Sequence, residues 1–384
     1  MKRALIVLGL VAGLAACQTV GGWWDDWFGS VNKKMLPAPL VEFKPSLGVT
    51  LRASAHIGGA GGNVFTPALT KADLFAAGYD GKIARFDADT LKEQWRIDAG
   101  KKLSGGVGAT DNLVVVGTPK GEVLAYDFNG KALWQTRVSS EVLSAPQIAG
   151  GLVLVRSGDG RIFGLDAKDG KRKWLYERAT PSLTVRSFGG VMIDKNAVFA
   201  GFGGGKLVAL DLDTGGVGWE ASVAVPHGVS ELERIADITS NAVSDGRTVC
   251  AVAFQGRVAC FETQTGNIIW ARDVSSIAGM AMDARNVYVS DVKGAVHALD
   301  KTTGGYVWKQ DKLTNRQLSA PLIYRGYVIV GDVQGYVHFL SREDGAFAAR
   351  IATDGSPIRA QPVALTDGVL VQTKKGGLFV LGLN

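Results

Sequence analysis

Gly81-Lys82-Ile83-Ala84-Arg85-Phe86-Asp87, Gly121-Glu122-Val123-Leu124-Ala125-Tyr126-Asp127 and Gly160-Arg161-Ile162-Phe163-Gly164-Leu165-Asp166 are three versions of one phrase. Each is a glycine followed by a short apolar strand that ends on a carboxylate. The phrase returns at Gly205, Gly256, Gly294, Gly335 and Gly376, so that eight copies lie 40, 39, 45, 51, 38, 41 and 41 residues apart. A length of 384 residues would by itself suggest two or three domains, but a fixed period of this size overrides that expectation. It is the size of one four-stranded propeller blade. Around each glycine, short alternating strands are divided by Gly, Asp and Asn turns, and no segment carries a helical period. The sequence therefore predicts an all-β, eight-bladed β-propeller with four-stranded blades.

A second regularity follows the first. Trp95, Trp134, Trp174, Trp219, Trp270 and Trp308 each stand four residues beyond a turn position, occupied by Leu91, Gly130, Gly170, Gly215, Gly266 and Gly304; the seventh unit has Ala349 instead. A tryptophan repeated once per unit reads as packing between blades, because its large ring buries well between twisted sheets. The last unit stops at Asn384, one strand short. Residues 48–57, which alternate like the outer strands, are expected to supply the missing one and close the ring.

The N-terminus reads separately. Lys2 and Arg3 precede an apolar run that is too short to span a bilayer, and residues 1–16 are expected to be a secretory signal. Leu14-Ala15-Ala16-Cys17 resembles a bacterial lipobox, which implies lipidation of Cys17. Gln18 is not the aspartate of the inner-membrane retention signal, so the resemblance points to the periplasmic face of the outer membrane. Residues 17–47, with Pro37, Pro39 and Pro45, are expected to form a lipidated, flexible tether ahead of the propeller at 48–384. Trp23, Trp24, Trp27 and Phe28 form an aromatic cluster within it, suited to a membrane interface or a partner. The net charge of +6, reduced by two once Lys2 and Arg3 are cleaved, is too small and dispersed for nucleic acid.

Function is expected in the loops. From each blade tryptophan to the next turn glycine the distances are 26, 26, 31, 37, 24 and 27 residues, so the connections after Trp174 and Trp219 are overlong. The first contains Leu183, Val185 and Arg186; the second contains Arg234 and Asp237. Aliphatic anchors beside arginine and carboxylates suit a protein partner. The alternative is that the loops pack on each other, with Arg186 paired to Asp237 or a glutamate.

Nothing points to catalysis. No zinc-protease helix, Cys-x-x-Cys or phosphate-binding loop is present, and the glycines near Gly201 sit in a blade hairpin. No cofactor and no metal site is expected, and His297 and His338, at equivalent places in successive units, read as packed side chains. Cys250 and Cys260 flank the Gln255-Gly256 turn. A two-residue turn would set Cys260 opposite Ala251 and forbid a bond, whereas a three-residue loop would reverse this.

The lipobox, tether, eight quinoprotein-like repeats and two long loops together resemble the BamB family, lipoproteins of the outer-membrane β-barrel assembly machinery. The resemblance covers the whole chain. It implies a non-enzymatic scaffold that binds the periplasmic domains of BamA through Leu183, Val185, Arg186, Arg234 and Asp237. It also suggests unfolded β-barrel substrates as a further partner. Val185 departs from the family's leucine, and Thr239 stands where the family has a second carboxylate. Two rivals share the repeat: a quinoprotein dehydrogenase, whose adjacent cysteines are missing here, and a glycan-binding propeller.

Overall fold

The structure, a computed structural model, describes residues 36–384. The predicted signal peptide, Cys17 and the Trp23–Phe28 cluster lie outside the described residues. Strands β1 to β32, in chain order, form eight four-stranded sheets. Blade one is typical, with β2 (Ala68–Leu69), β3 (Asp73–Ala77), β4 (Lys82–Asp87) and β5 (Glu93–Asp98) running from the ring's axis outward. The two middle strands of each blade are sandwiched between neighbouring blades and are apolar on both faces. The outer strand alternates between exposed and covered residues.

The ring closes as expected. Blade eight takes β30 (Val363–Leu365), β31 (Gly368–Gln372) and β32 (Gly377–Leu383) from the C-terminus and β1 (Val49–His56) from the N-terminal side. β1 runs antiparallel to β32 from Val49 opposite Leu383 to His56 opposite Gly377.

The tryptophans pack between blades. Each indole Nε1 donates to a backbone carbonyl of the next blade at 2.6–3.0 Å: those of Phe128, Ala167, Leu212, Thr263, Lys301 and Arg342. The ring also lies on that blade's last hairpin. Gly170, for example, has φ +70°, and a Cβ there would come within 2.5 Å of Trp134. This explains the two exceptions. Blade eight has no such hairpin because its outer strand comes from the other end of the chain, and blade seven accordingly carries Ala349. β1 carries Ala53 in place of a tryptophan, and the buried Leu91 of blade one, at φ +53°, packs into the same apolar cluster.

Cys250 and Cys260 form a disulfide, with Cα atoms 4.1 Å apart on β19 (Thr248–Val252) and β20 (Val258–Glu262). The hairpin settles the alternative left open by the sequence. Ala253 N donates to Arg257 O, which leaves a three-residue loop of Phe254, Gln255 and Gly256 and sets Cys250 directly opposite Cys260. Sibling hairpins share the three-residue loop but place the repeat glycine itself at positive φ, in a turn that cannot accept a side chain, whereas here the positive φ falls one residue earlier, on Gln255. At Gly294, φ is +91° and a Cβ would meet Leu313 O at 2.2 Å.

The segment expected to be a flexible tether differs from expectation over its described part. Residues 36–47 have no regular structure, as the prolines dictate, but they form a strap docked on blades six and seven. Ala38 N donates to Thr314 O at 2.9 Å, Phe43 stacks on Phe347 at 5.3 Å, and Ser46 N donates to Ala348 O at 3.0 Å. Apart from the Phe43 ring, the strap holds by its main chain, which no side-chain pattern reveals. Arg316, 1% exposed, donates to Asp332 at 2.7 Å, to Gln334 at 2.6 Å and to the Ala38 carbonyl at 2.7 Å. His338 Nε2 meets the same Asp332 Oδ2 at 2.8 Å. Arg350 donates to His338 Nδ1 at 3.2 Å and to the Val41 carbonyl at 3.1 Å. Both repeat histidines are packed as expected, His297 against Asp291.

A guanidinium can only donate, so His338 is neutral, with its proton on Nε2. Burial pushes its pKa down; Asp332 opposes the shift, and Arg350 and Arg316 reinforce it. The folded pKa therefore lies below the unfolded one, and the folded state binds fewer protons. Stability should fall as pH drops through the unfolded value of about 6.5 toward the lower folded value. The melting temperature should decline between pH 7 and pH 5, and His338→Gln should flatten that decline. An equal decline in the variant would remove His338 as its source. Burial raises the Asp332 pKa, but His338, Tyr336 N and Arg316 outweigh it, so its own loss on acidification comes only below the ordinary carboxylate range.

Candidate functional site: a face built from two loops

Residues 177–191 connect β13 (Arg172–Tyr176) to β14 (Met192–Asp194), and residues 223–242 connect β17 (Val217–Ser222) to β18 (Val243–Ser244). Each leads from the outer strand of one blade to the inner strand of the next, so both emerge on the same face of the ring. They are stitched together there. Val185 N donates to Asp237 Oδ2 at 2.7 Å and Gly204 N to Asp237 Oδ1 at 3.0 Å. Ser187 Oγ donates to Thr239 O at 3.1 Å, and Gly190 N to Asn241 Oδ1 at 2.7 Å.

The expected site residues consequently divide into two roles. Asp237 is 3% exposed, with both oxygens engaged by backbone amides. Its position is that of a pin shaping the first loop, not of a surface contact. Thr239 is likewise buried, with its hydroxyl on Ile277 O, so a frame position stands where the family has a second carboxylate. Leu183 is 41% exposed, Val185 is partly covered, and Arg186 is exposed with its guanidinium 5.6 Å from the Phe188 ring. Arg186 does not pair with Asp237. Arg234 is exposed and folds back on Gly228 O at 3.1 Å.

The second loop has its own support. Glu233 accepts from Val229 N and Ser230 N at 2.8 and 3.1 Å, while Ser230 Oγ accepts from Glu233 N, an arrangement like a helix capping box. These amide donors, Ser230's first, hold the Glu233 carboxyl below its usual range. From blade five, Gln255 at φ +48° aims its amide at the carbonyls of Leu232 and Ile235, 3.0 Å from each. The braced loop displays Val225, Leu232 and, 94% exposed, Val229. Sequence reasoning left these three out of the site, although apolar residues in an overlong loop were the available signal. Gln255 carried no signal, since a turn glutamine looks ordinary.

Between the loops and blades three and four lies a cavity of about 260 Å³ whose lining includes Arg156, Arg186, Phe202 and Asp237. Among the described residues no group of His, Cys, Asp and Glu could hold a metal ion, and no helix is long and apolar enough to cross a membrane.

Fold and face define an eight-bladed propeller of the quinoprotein type that presents a rigidly framed loop surface. A family model described as Outer membrane protein assembly factor BamB matches residues 79–310 and 292–383. The protein of that name from Nitrosomonas eutropha is 47% identical over 98% of this chain and 94% of its own. The one from Bordetella pertussis is 39% identical over 100% and 97%. The crystal structure of BamB from Moraxella catarrhalis superposes with a TM-score of 0.81 at 26% identity, covering 87% of this chain and 100% of that one. A quinohemoprotein alcohol dehydrogenase from Comamonas testosteroni superposes with a TM-score of 0.71 at 14% identity, over 87% and 76%, which is a likeness of fold alone. The chain belongs to the BamB family of outer-membrane protein assembly factors.

Proposed function

We propose that this chain is a non-enzymatic scaffold lipoprotein, anchored through Cys17 at the periplasmic face of the outer membrane. It docks on the periplasmic domains of BamA and thereby assists the folding and insertion of β-barrel proteins. The observation that carries this reading is the display of Leu183, Val229 and Leu232, beside Arg186, on loops whose backbones are fixed from beneath. Exposed aliphatic groups on a pre-ordered frame lose little entropy on binding, and an arginine at the rim supplies a directional contact. The relatives' name, outer membrane protein assembly factor, supports the same setting.

The test is co-purification from detergent-solubilised membranes. Arg186→Glu and Val229→Asp should each reduce the BamA recovered to a small fraction of the wild-type amount, at unchanged abundance of the variant. Full recovery with both would remove this face from the proposal. Cys17→Ala should abolish acyl labelling in the same cells.

A further inference from the structure

The cavity beneath the first loop is lined by an arginine, Arg156, that forms no ion pair with any carboxylate among the described residues. Its acidic lining residues are occupied: Asp237 by two backbone amides, Asp159 by Arg161 at 2.7 Å, and Glu141 by the Ser140 hydroxyl. Its two arginines are not matched in the same way. Neither Arg156 nor Arg186 has a carboxylate partner among the described residues. Arg156 is partly buried, with its guanidinium 4.9 Å from the Phe202 ring and one nitrogen in long contacts of 3.3 and 3.4 Å to the carbonyls of Gly189 and Gly190. Burial without a counter-charge pushes its pKa down to about 10. An arginine beside an aromatic ring, with only one nitrogen in long carbonyl contacts, keeps the other donors of its planar fork available, the geometry that receives a carboxylate.

Size narrows the choice. At about 260 Å³ the cavity falls below the roughly 300–1,000 Å³ of small-molecule sites, but it can admit one side chain with its water. Thr184, Val185 and Arg186 of the first loop are among its lining residues.

We propose that this cavity is a socket for an aspartate or glutamate side chain of the protein that docks on the two loops, with Arg156 as the buried cation that receives it and Arg186 as a second cation in the lining. The inference rests on the docking reading above and adds to it a residue that the loops do not contain.

The test titrates detergent-solubilised full-length BamA onto the immobilised full-length lipoprotein, wild type and Arg156→Met, at several salt concentrations. The expected result is a loss of roughly tenfold or more in affinity for Arg156→Met, together with a shallower dependence on salt. Cleavage of residues 177–191 by a protease should be unchanged. Wild-type affinity in the variant would overturn the socket while leaving the docking face intact. So would a loss of affinity with unchanged salt dependence and faster cleavage, because Arg156 would then only shape the loop. Tight binding of inorganic phosphate to the lipoprotein alone would make this a free-anion site and overturn it as well. If the wild type binds no BamA, both proposals fall together.

Discussion

A chain that starts at Gly58 should fail to form the native ring. The truncation removes the strap together with β1, whose seven register positions opposite β32 are lost, and leaves the last blade three-stranded, with an open edge. At about 1 kcal/mol net for each backbone hydrogen bond, plus the apolar contacts of Ala53 and Ala55, the loss is on the order of 5–8 kcal/mol. That is comparable to the whole stability of a typical domain, about 5–15 kcal/mol. The expected outcome is a broad, low-temperature thermal transition and rapid proteolysis. A synthetic peptide of residues 48–57 added in trans should restore part of the protection. A sharp, near-wild-type transition in the truncated chain would mean that the seven other blades suffice.

The second large effect is expected at Asp237. Asp237→Ala orphans the amides of Val185 and Gly204, each at a cost of about 1–3 kcal/mol when buried. The cost falls locally. The propeller should melt within a few degrees of wild type, while the Val185 amide exchanges with solvent far faster and recovery of BamA drops at least as much as with Arg186→Glu. This outcome separates a pin from a contact. If Asp237 only touched the partner, binding would fall while amide exchange at Val185 in the free protein stayed slow.

Blade number, strand order, ring closure and the presence of two long loops on one face were all legible because each leaves a periodic or length signal. Eight turn glycines, a tryptophan per unit and two overlong connections are sequence quantities. The places where reading stopped share a different cause. Whether Cys250 faces Cys260 depends on one residue more or less in a hairpin, and the positive φ there falls on Gln255, one residue before the repeat glycine, a backbone feature that no residue type announces. The strap is held through the carbonyls of Ala38 and Val41, groups that every residue possesses. The resemblance implied Asp237 as a contact; that its carboxylate points inward is a matter of loop conformation. Arg156, on a blade strand distant in sequence from both loops, has no local mark at all.

The strap sets a length limit. The Thr314–Arg316 stretch that it meets first lies in a connection of the same kind as the two docking loops, so the N-terminal segment leaves the ring on the docking side. With the proposed anchor at Cys17, eighteen residues separate the lipid from Leu36, a reach of at most about 65 Å even when fully drawn out. The propeller is then leashed with its docking face on the side from which the leash departs. Any partner it holds must lie within that short radius of the membrane, and lengthening residues 18–35 should widen the zone it can search without altering a single contact.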